Sequence, residues 1–283
     1  MTYVEILSTG FATLEGPVDD GEGGLVFSDV AGGGVHHLNS KGELSVIVPK
    51  RRGSGGNCAH ADGGYIITGR DVSHVHNGES RILFTREDLA ALPGEGVGGF
   101  NDAHVARDGS ILVGSTRFTD DGVQIPGELL QITAPHEGSI IYGGVKLTNG
   151  IALSPDGARL YHSDTYSDHV IVSRMENNRP VRLGTFSTKG TPGHPDGLAV
   201  DEAGHIWIAF HYGGCVAEYT PDGREVSRIE LPMKNTLSLC FGGQDRTDMF
   251  VVTDSDPEEV GRNARIYRIR AKSPGVKVDL CRI

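Results

Sequence analysis

Cysteine, positive charge and long apolar runs are all scarce in this chain, and each shortage closes off a class of protein. The four cysteines, Cys58, Cys215, Cys240 and Cys281, show no Cys-x-x-Cys spacing, which argues against a zinc knuckle or a disulfide framework. No apolar run of 18 residues occurs, and the start lacks a basic segment leading into an apolar one, so neither a membrane span nor a secretory signal is expected. With 26 Lys and Arg against 37 Asp and Glu, the net charge of −11 argues against nucleic acid and anionic membrane as partners and suits cations instead. Gly-x-Ser-x-Gly, His-Glu-x-x-His and Gly-x-x-x-x-Gly-Lys are also missing, so hydrolysis would have to use a metal-activated water or a carboxylate base. The expectation is a cytoplasmic protein with reduced thiols, a monomer or weak homodimer.

What the chain does have is glycine, 41 residues of it, arranged around a repeat. Short apolar strands begin at Leu25, Tyr65, Ile111, Leu160, Ile206 and Met249, with successive spacings of 40, 46, 49, 46 and 43 residues. That is the period of a propeller blade of four short strands. A glycine-bearing turn precedes each start, and the flanks are rich in Val, Ile and Tyr, which is the pattern of hairpins rather than helices. Six copies fill residues 1–283, so the expected fold is all-β, a single six-bladed β-propeller domain with four antiparallel strands per blade.

One strand back from each start stands a polar residue. Glu15, Asn101 and Asp196 lie ten residues ahead of their starts, Asn149 eleven and Asn57 eight; in the sixth copy Thr236 and Ser238 are the nearest candidates. The innermost strand of each blade lines the central channel, so these side chains should form a ring of oxygens. Taken singly, Leu14-Glu15-Gly16-Pro17, Asn149-Gly150 and Asp196-Gly197 are only turn or capping signals. Placed at one height, Glu15, Asn149 and Asp196 make a hard-oxygen metal site, suited first to Ca²⁺ and also to Mg²⁺, Mn²⁺, Fe²⁺ or Zn²⁺.

Asn57 and Asn101 share that rank and are expected at the metal, its water or substrate oxygens. His60 and His104 follow them at an odd offset that faces away in a regular strand, so they read as core or blade-to-blade residues. His194 and His211 fall nearer the mouth and are candidate substrate contacts. Residues 2–8 read as a lone strand that should pair with a strand from the C-terminal 265–279, where Arg265–Arg270 and Val276–Leu280 both look extended; such pairing removes an exposed edge. Arg86–Gly99 opens with a helical turn, continues as a Pro/Gly loop and is a candidate lid over the channel, while Asp254–Arg262 reads as a solvated surface loop.

The run from Pro195 through Ala209, followed by Gly213-Gly214, Leu231-Pro232, Cys240-Phe241-Gly242-Gly243 and Met249–Thr253, resembles the gluconolactonase, regucalcin (senescence marker protein) and luciferin-regenerating enzyme family. Glu15-Gly16-Pro17, Phe100-Asn101-Asp102 and Asn149-Gly150 match its motifs too. The resemblance implies a six-bladed propeller with one divalent metal held by Glu15, Asn149 and Asp196, with Asn101 bordering metal and substrate and Asp196 doubling as general base. Two places depart from it: Gly99 stands where sugar-lactone members carry an arginine, and Thr119 or Asp120 falls near the place of a missing glutamate. Both family residues bind sugar hydroxyls.

The expected activity is therefore metal-dependent hydrolysis of a small lactone or ester. The alternatives are another metal-assisted reaction on an ester or carbonyl compound, or a calcium- or ligand-binding propeller without turnover.

Overall fold

The glycine turns and the alternating apolar runs between them fold as hairpins, and successive hairpins join into six four-stranded antiparallel sheets. The computed structural model describes residues 3–259 and 261–283. From the channel outward, blade 1 is Leu14–Asp19, Leu25–Asp29, Val35–Leu38 and Leu44–Val48; blade 2 is Asn57–Ala59, Tyr65–Ile67, Val72–His76 and Glu79–Phe84. Blade 3 is Val97–Val105, Ile111–Phe118, Gly127–Ala134 and Glu137–Val145, with Gln124–Ile125 as a short extra strand. Blade 4 is Thr148–Leu153, Arg159–Asp164, His169–Glu176 and Arg179–Ser187; blade 5 is His194–Val200, Ile206–His211, Cys215–Tyr219 and Glu225–Glu230. Blade 6 combines Thr236–Gly242, Asp248–Thr253 and Ala264–Arg270 with Val4–Phe11 from the other end of the chain. The second strands begin at the expected residues, except that those of blades 4 and 6 start one residue earlier.

The apolar residues divide into six clusters, one at each junction between neighbouring blades. Phe27 and Leu14 of blade 1 meet Phe250 and Ile266 of blade 6, Phe84 of blade 2 meets Phe100 of blade 3, and Leu112 of blade 3 meets Leu160 of blade 4. Tyr161 joins Phe210 between blades 4 and 5, Val216 joins Val251 between 5 and 6, and Val26 joins Ile67 between 1 and 2. No blade holds a core of its own, so a sheet with two apolar faces is stable only between two neighbours.

The expected closure is present: Val4–Phe11 pairs antiparallel with Ala264–Arg270, from Val4↔Ile269 to Phe11↔Ala264. Thr2, included in the expected strand, lies outside the described residues. The second C-terminal segment differs from expectation, because Val276–Leu280 is not a strand. It spans the base of the channel from blade 5, where Val276 N donates to Val200 O at 2.9 Å, to blade 2, where Cys281 N donates to Ala59 O at 2.9 Å. Extended residues there satisfy their backbone groups at the two ends of a strap instead of along a ladder. Arg86–Ala90 is a helix capped by Thr85, and Leu89 is buried between blades 2 and 3, which fixes this part of the expected lid to the body. Among the described residues no helix is long and apolar enough to cross a membrane.

Removing residues 1–11 should leave the Ala264–Arg270 edge open and strip Phe11 from its cluster, at a cost of at least about 3 kcal/mol, the lower end for one buried phenylalanine. Denaturant unfolding with light scattering checks this; a truncated chain as stable and monodisperse as the full one would contradict the closure argument.

Candidate functional site

Near one height in the channel, five inner strands carry one residue more than their partners. The irregularity falls between Glu15↔Ser28 and Val18↔Val26, Phe100↔Ser115 and Ala103↔Val113, Thr148↔Asp164 and Ile151↔His162, Pro195↔Phe210 and Leu198↔Ile208, and Thr236↔Thr253 and Ser238↔Val252. A bulge bends its strand and re-aims the side chains beside it. Glu15, Asn101, Asp102, Asn149 and Asp196 all sit within or beside these bulges. Asn57 comes from the regular inner strand of blade 2, opposite Ile67.

The glycine that follows a polar residue has a packing role. A Cβ on Gly150 would lie 2.7 Å from the carbonyl oxygen of Asp196, and one on Gly16 would lie 2.7 Å from the carbonyl oxygen of Gly55. Gly56 is pressed in the same way against Ala103 and Asp102, and Gly197 against Ser238. Asn149-Gly150 and Asp196-Gly197 are thus strand segments where neighbouring backbones almost touch, not turns.

This close approach seals the acids from water. Glu15 Oε2, Asp102 Oδ1 and Asp196 Oδ1 are buried without a hydrogen-bond partner, although the Glu15 residue as a whole keeps part of its surface toward the open end. Burial, then Asp196, then Asp102 push the Glu15 carboxyl well above its usual range; burial and then Asp102 do the same to Asp196. Asp102 is raised to about 7 by burial. The amides are tied down: Asn101 Nδ2 donates to Asn149 Oδ1 at 2.6 Å and to Thr148 O at 2.7 Å, and Asn149 Nδ2 donates to Thr165 Oγ1 at 2.7 Å. Asn57 Nδ2 donates to Gly16 O at 2.7 Å. Asn149 Oδ1 retains a second lone pair. Orphaned, mutually repelling carboxylate oxygens beside an amide oxygen fit a hard divalent cation, so Glu15, Asn149 and Asp196 are compatible with the expected donor set.

His194 and His211 pair across the first two strands of blade 5, one step above Asp196. His194 Nδ1 lies 2.6 Å from Asp168 Oδ1, and His211 stacks on Tyr212. His60 stacks on His74 and bonds the carbonyl of Ile283 at 3.2 Å, a structural role as expected. His104 instead borders the lower channel cavity of about 290 Å³, because the bulge at Asn101-Asp102 shifts the alternation on which its outward reading rested. Asp102, absent from the sequence-based set, enters the ring for the same reason. Its adjacency to Asn101 was visible, but regular alternation places the two on opposite faces. Thr119 and Asp120 sit in an exposed turn after Phe118 and take no part. Asp201, His205 and Glu218 also gather their ligand atoms within 4.8 Å, at the basal hairpin of blade 5. There Trp207 Nε1 and His205 N donate to Asp201, and His205 pairs with Glu218, so the group is satisfied internally.

Two outcomes follow from the sealed acids. Gly150→Ala should push the Asp196 strand away, costing about 1–3 kcal/mol and activity with it; wild-type stability and turnover would contradict the contact. Carboxyl values raised in the folded state mean that ionisation is opposed only there. Stability of the chelated protein should therefore fall as pH rises from about 4, the unfolded value, through about 7, the Asp102 value. Melting temperatures across that range check the sign, and calcium should flatten the slope; an identical slope with calcium would remove the cation argument.

Residues 14–255 match the family model of the SMP-30/Gluconolactonase/LRE-like region. The chain is 31% identical over 240 residues to the 6-deoxy-6-sulfogluconolactonase of Pseudomonas putida, covering 82% of this chain and 79% of that one. It is 28% identical over 267 residues to pentonolactonase XacC of Haloferax volcanii, covering 89% and 85%. Among solved structures, a luciferin-regenerating enzyme shares the fold with a TM-score of 0.83 at 19% identity, covering 99% of this chain and all 100% of that one. With the family-model match running from the inner strand of blade 1 into blade 6, and a relative 31% identical over 82% of the chain, the chain belongs to the SMP-30/gluconolactonase/LRE-like family.

Proposed function

We propose that this protein hydrolyses a small lactone of the sugar-lactone type, using a divalent cation held by Glu15, Asn149 and Asp196. The observation that carries the reading is the pair of sealed, unpartnered carboxylate oxygens of Glu15 and Asp196 beside the Asn149 amide. Relatives named as a sulfogluconolactonase and a pentonolactonase, aligned over most of the chain, support the lactone as substrate class. Calcium suits the all-oxygen donor set best.

When bound, the cation supplies Lewis-acid polarisation of the lactone carbonyl, worth several kcal/mol. The chain's own residues do the rest. Asp196 accepts a proton from the attacking water as the water oxygen bonds to the carbonyl carbon. It returns that proton to the ring oxygen as the carbon–oxygen ring bond breaks, leaving a hydroxy acid. Burial, and then the neighbouring Asp102 charge, push Asp196 toward the protonated form, and a cation held beside it would favour the ionised form that accepts the proton. Asn101, held by its bonds to Thr148 and Asn149, and Asn57, held by Gly16, orient substrate oxygens. His194 and His211 stand over Asp196 at the mouth and contact the part of the substrate that faces solvent.

Asp196→Asn should lower kcat by at least about 100-fold, the usual loss with a general base, with unchanged circular dichroism. Hydrolysis of aldono-, aryl- and alkyl-lactones followed by pH-stat should vanish on chelation and return with added cation. Near-wild-type turnover by Asp196→Asn would sink the base assignment, and undiminished hydrolysis after chelation would sink the metal.

A further inference from the structure

The mouth of the channel carries a second feature that the acid ring does not use. Between blades 2 and 3, a cavity of about 310 Å³ is walled by Arg70, Arg86, Glu87, Val97, Gly98 and Arg117. Arg70 and Arg86 stand there beside the Arg117–Glu128 ion pair, against a single further carboxylate, Glu87, in a chain whose net charge is −11. Arg117 is fully buried; its Nε donates to Glu128 at 2.9 Å, and its Nη2 has no partner. Glu128 Oε2 accepts from both Arg117 Nε and Ser115 Oγ, and no ion pair joins Glu128 to Arg70 or Arg86. Arg86 has a buried Nε without a partner, and among the described residues no carboxylate lies within ion-pair distance of Arg70 or Arg86. Leaving buried guanidinium donors unpaired is costly, so a wall of this kind is complete only with an anion.

The position of Arg86 connects this wall to the candidate site. Its Nη2 lies 3.6 Å from where a Cβ of Gly99 would stand. Gly99 precedes Asn101 by two residues on the inner strand of blade 3, just ahead of the bulge, about 7 Å away along the strand. Here the strand supplies only space, and a guanidinium arrives from a different element, the helix Arg86–Ala90, which is pinned by Leu89 and capped by Thr85. Arg86 reaches the same rim from outside the ring and brings Arg70 and Arg117 behind it.

We propose that Arg86, backed by Arg70 and Arg117, forms an anion subsite at the channel rim that selects lactones bearing an acidic substituent on the carbon chain remote from the ring carbonyl. The subsite rests on the lactonase reading given above and narrows its substrate class from neutral polyhydroxylated lactones to acid-bearing ones. A carboxylate, a sulfonate and a phosphate ester share the needed chemistry: oxygens that take two parallel N–H donors from a planar guanidinium. Remote binding of this sort holds the ring over Asn101 and Asp196, which raises the effective concentration of the reacting carbonyl.

The test compares four aldonolactones that differ only at the terminal carbon, which is neutral hydroxymethyl, carboxylate, sulfonate or phosphate ester. At low ionic strength, kcat/KM should be at least tenfold higher for one or more charged lactones than for the neutral one, with the gain mainly in KM and lost as salt is raised. The ranking of the three tails names the anion. Arg86→Gln should lower the charged-to-neutral ratio at least tenfold, Arg86→Lys should restore part of it, and Arg70→Gln should lower it by a smaller factor. A wild-type ratio near one, or a ratio unmoved by Arg86→Gln, overturns the subsite while leaving the lactonase reading intact. Absence of turnover on all four removes the lactonase reading instead. The subsite is then judged by sulfate titration at constant ionic strength. A rise in melting temperature over chloride that is lost in Arg86→Gln supports it, and equal rises in both proteins overturn it.

Discussion

Everything at the channel depends on how closely six inner strands can approach one axis. Gly16, Gly56, Gly150 and Gly197 each occupy a place where a Cβ would strike the backbone or side chain of the next blade. That approach narrows the channel, and the narrowing excludes water from Glu15, Asp102 and Asp196. The electrostatic character of the site is thus a product of steric fit: without the glycines the blades would stand apart, water would enter, and the acids would be ordinary surface carboxylates.

The same contacts explain how a repeat with weak self-similarity closes into a ring. Each of the six apolar clusters draws on two blades, so ring closure and core formation are one event. Bulges at the site interrupt ladder pairing in five inner strands. Their cost in backbone hydrogen bonds is borne by the surrounding regular strands, as is usual where function requires a local departure from ideal geometry.

Period, turn chemistry and alternation made the architecture legible before any coordinates. The second strands fall where the spacing put them, and Val4–Phe11 closes blade 6 as the edge argument required. Placement of Glu15, Asn101, Asn149 and Asp196 beside the inner-strand bulges was legible for the same reason, since they stand ten or eleven residues ahead of the strand starts; Asn57, eight ahead, lies on a regular strand and borders the lower cavity. What alternation alone misreads is whatever lies beside a bulge, and Asp102 and His104 are the two instances. Val276–Leu280 differs for another reason: an extended, apolar-alternating segment has the signature of a strand, but this one crosses the channel and meets inner strands only through isolated bridges at its two ends, Asp201↔Gly275 and His60↔Cys281. Arg86–Gly99 was legible as a segment near the channel mouth, but no local pattern relates the Arg86 guanidinium to a glycine thirteen residues further along, where it comes within 3.6 Å of the place a Cβ would take.

The C-terminal strap gives the ring a second, mechanically distinct restraint. Val4–Phe11 fastens blade 6 along the rim, whereas residues 276–281 tie blade 5 to blade 2, which lie opposite each other in a ring of six. A hoop fastened only at its circumference can flatten into an ellipse; a hoop with a spoke across its diameter cannot widen along that line. The spoke lies directly beneath the acid ring, so the separation of oxygens drawn from opposite blades is held by a tensile element that takes no part in chemistry.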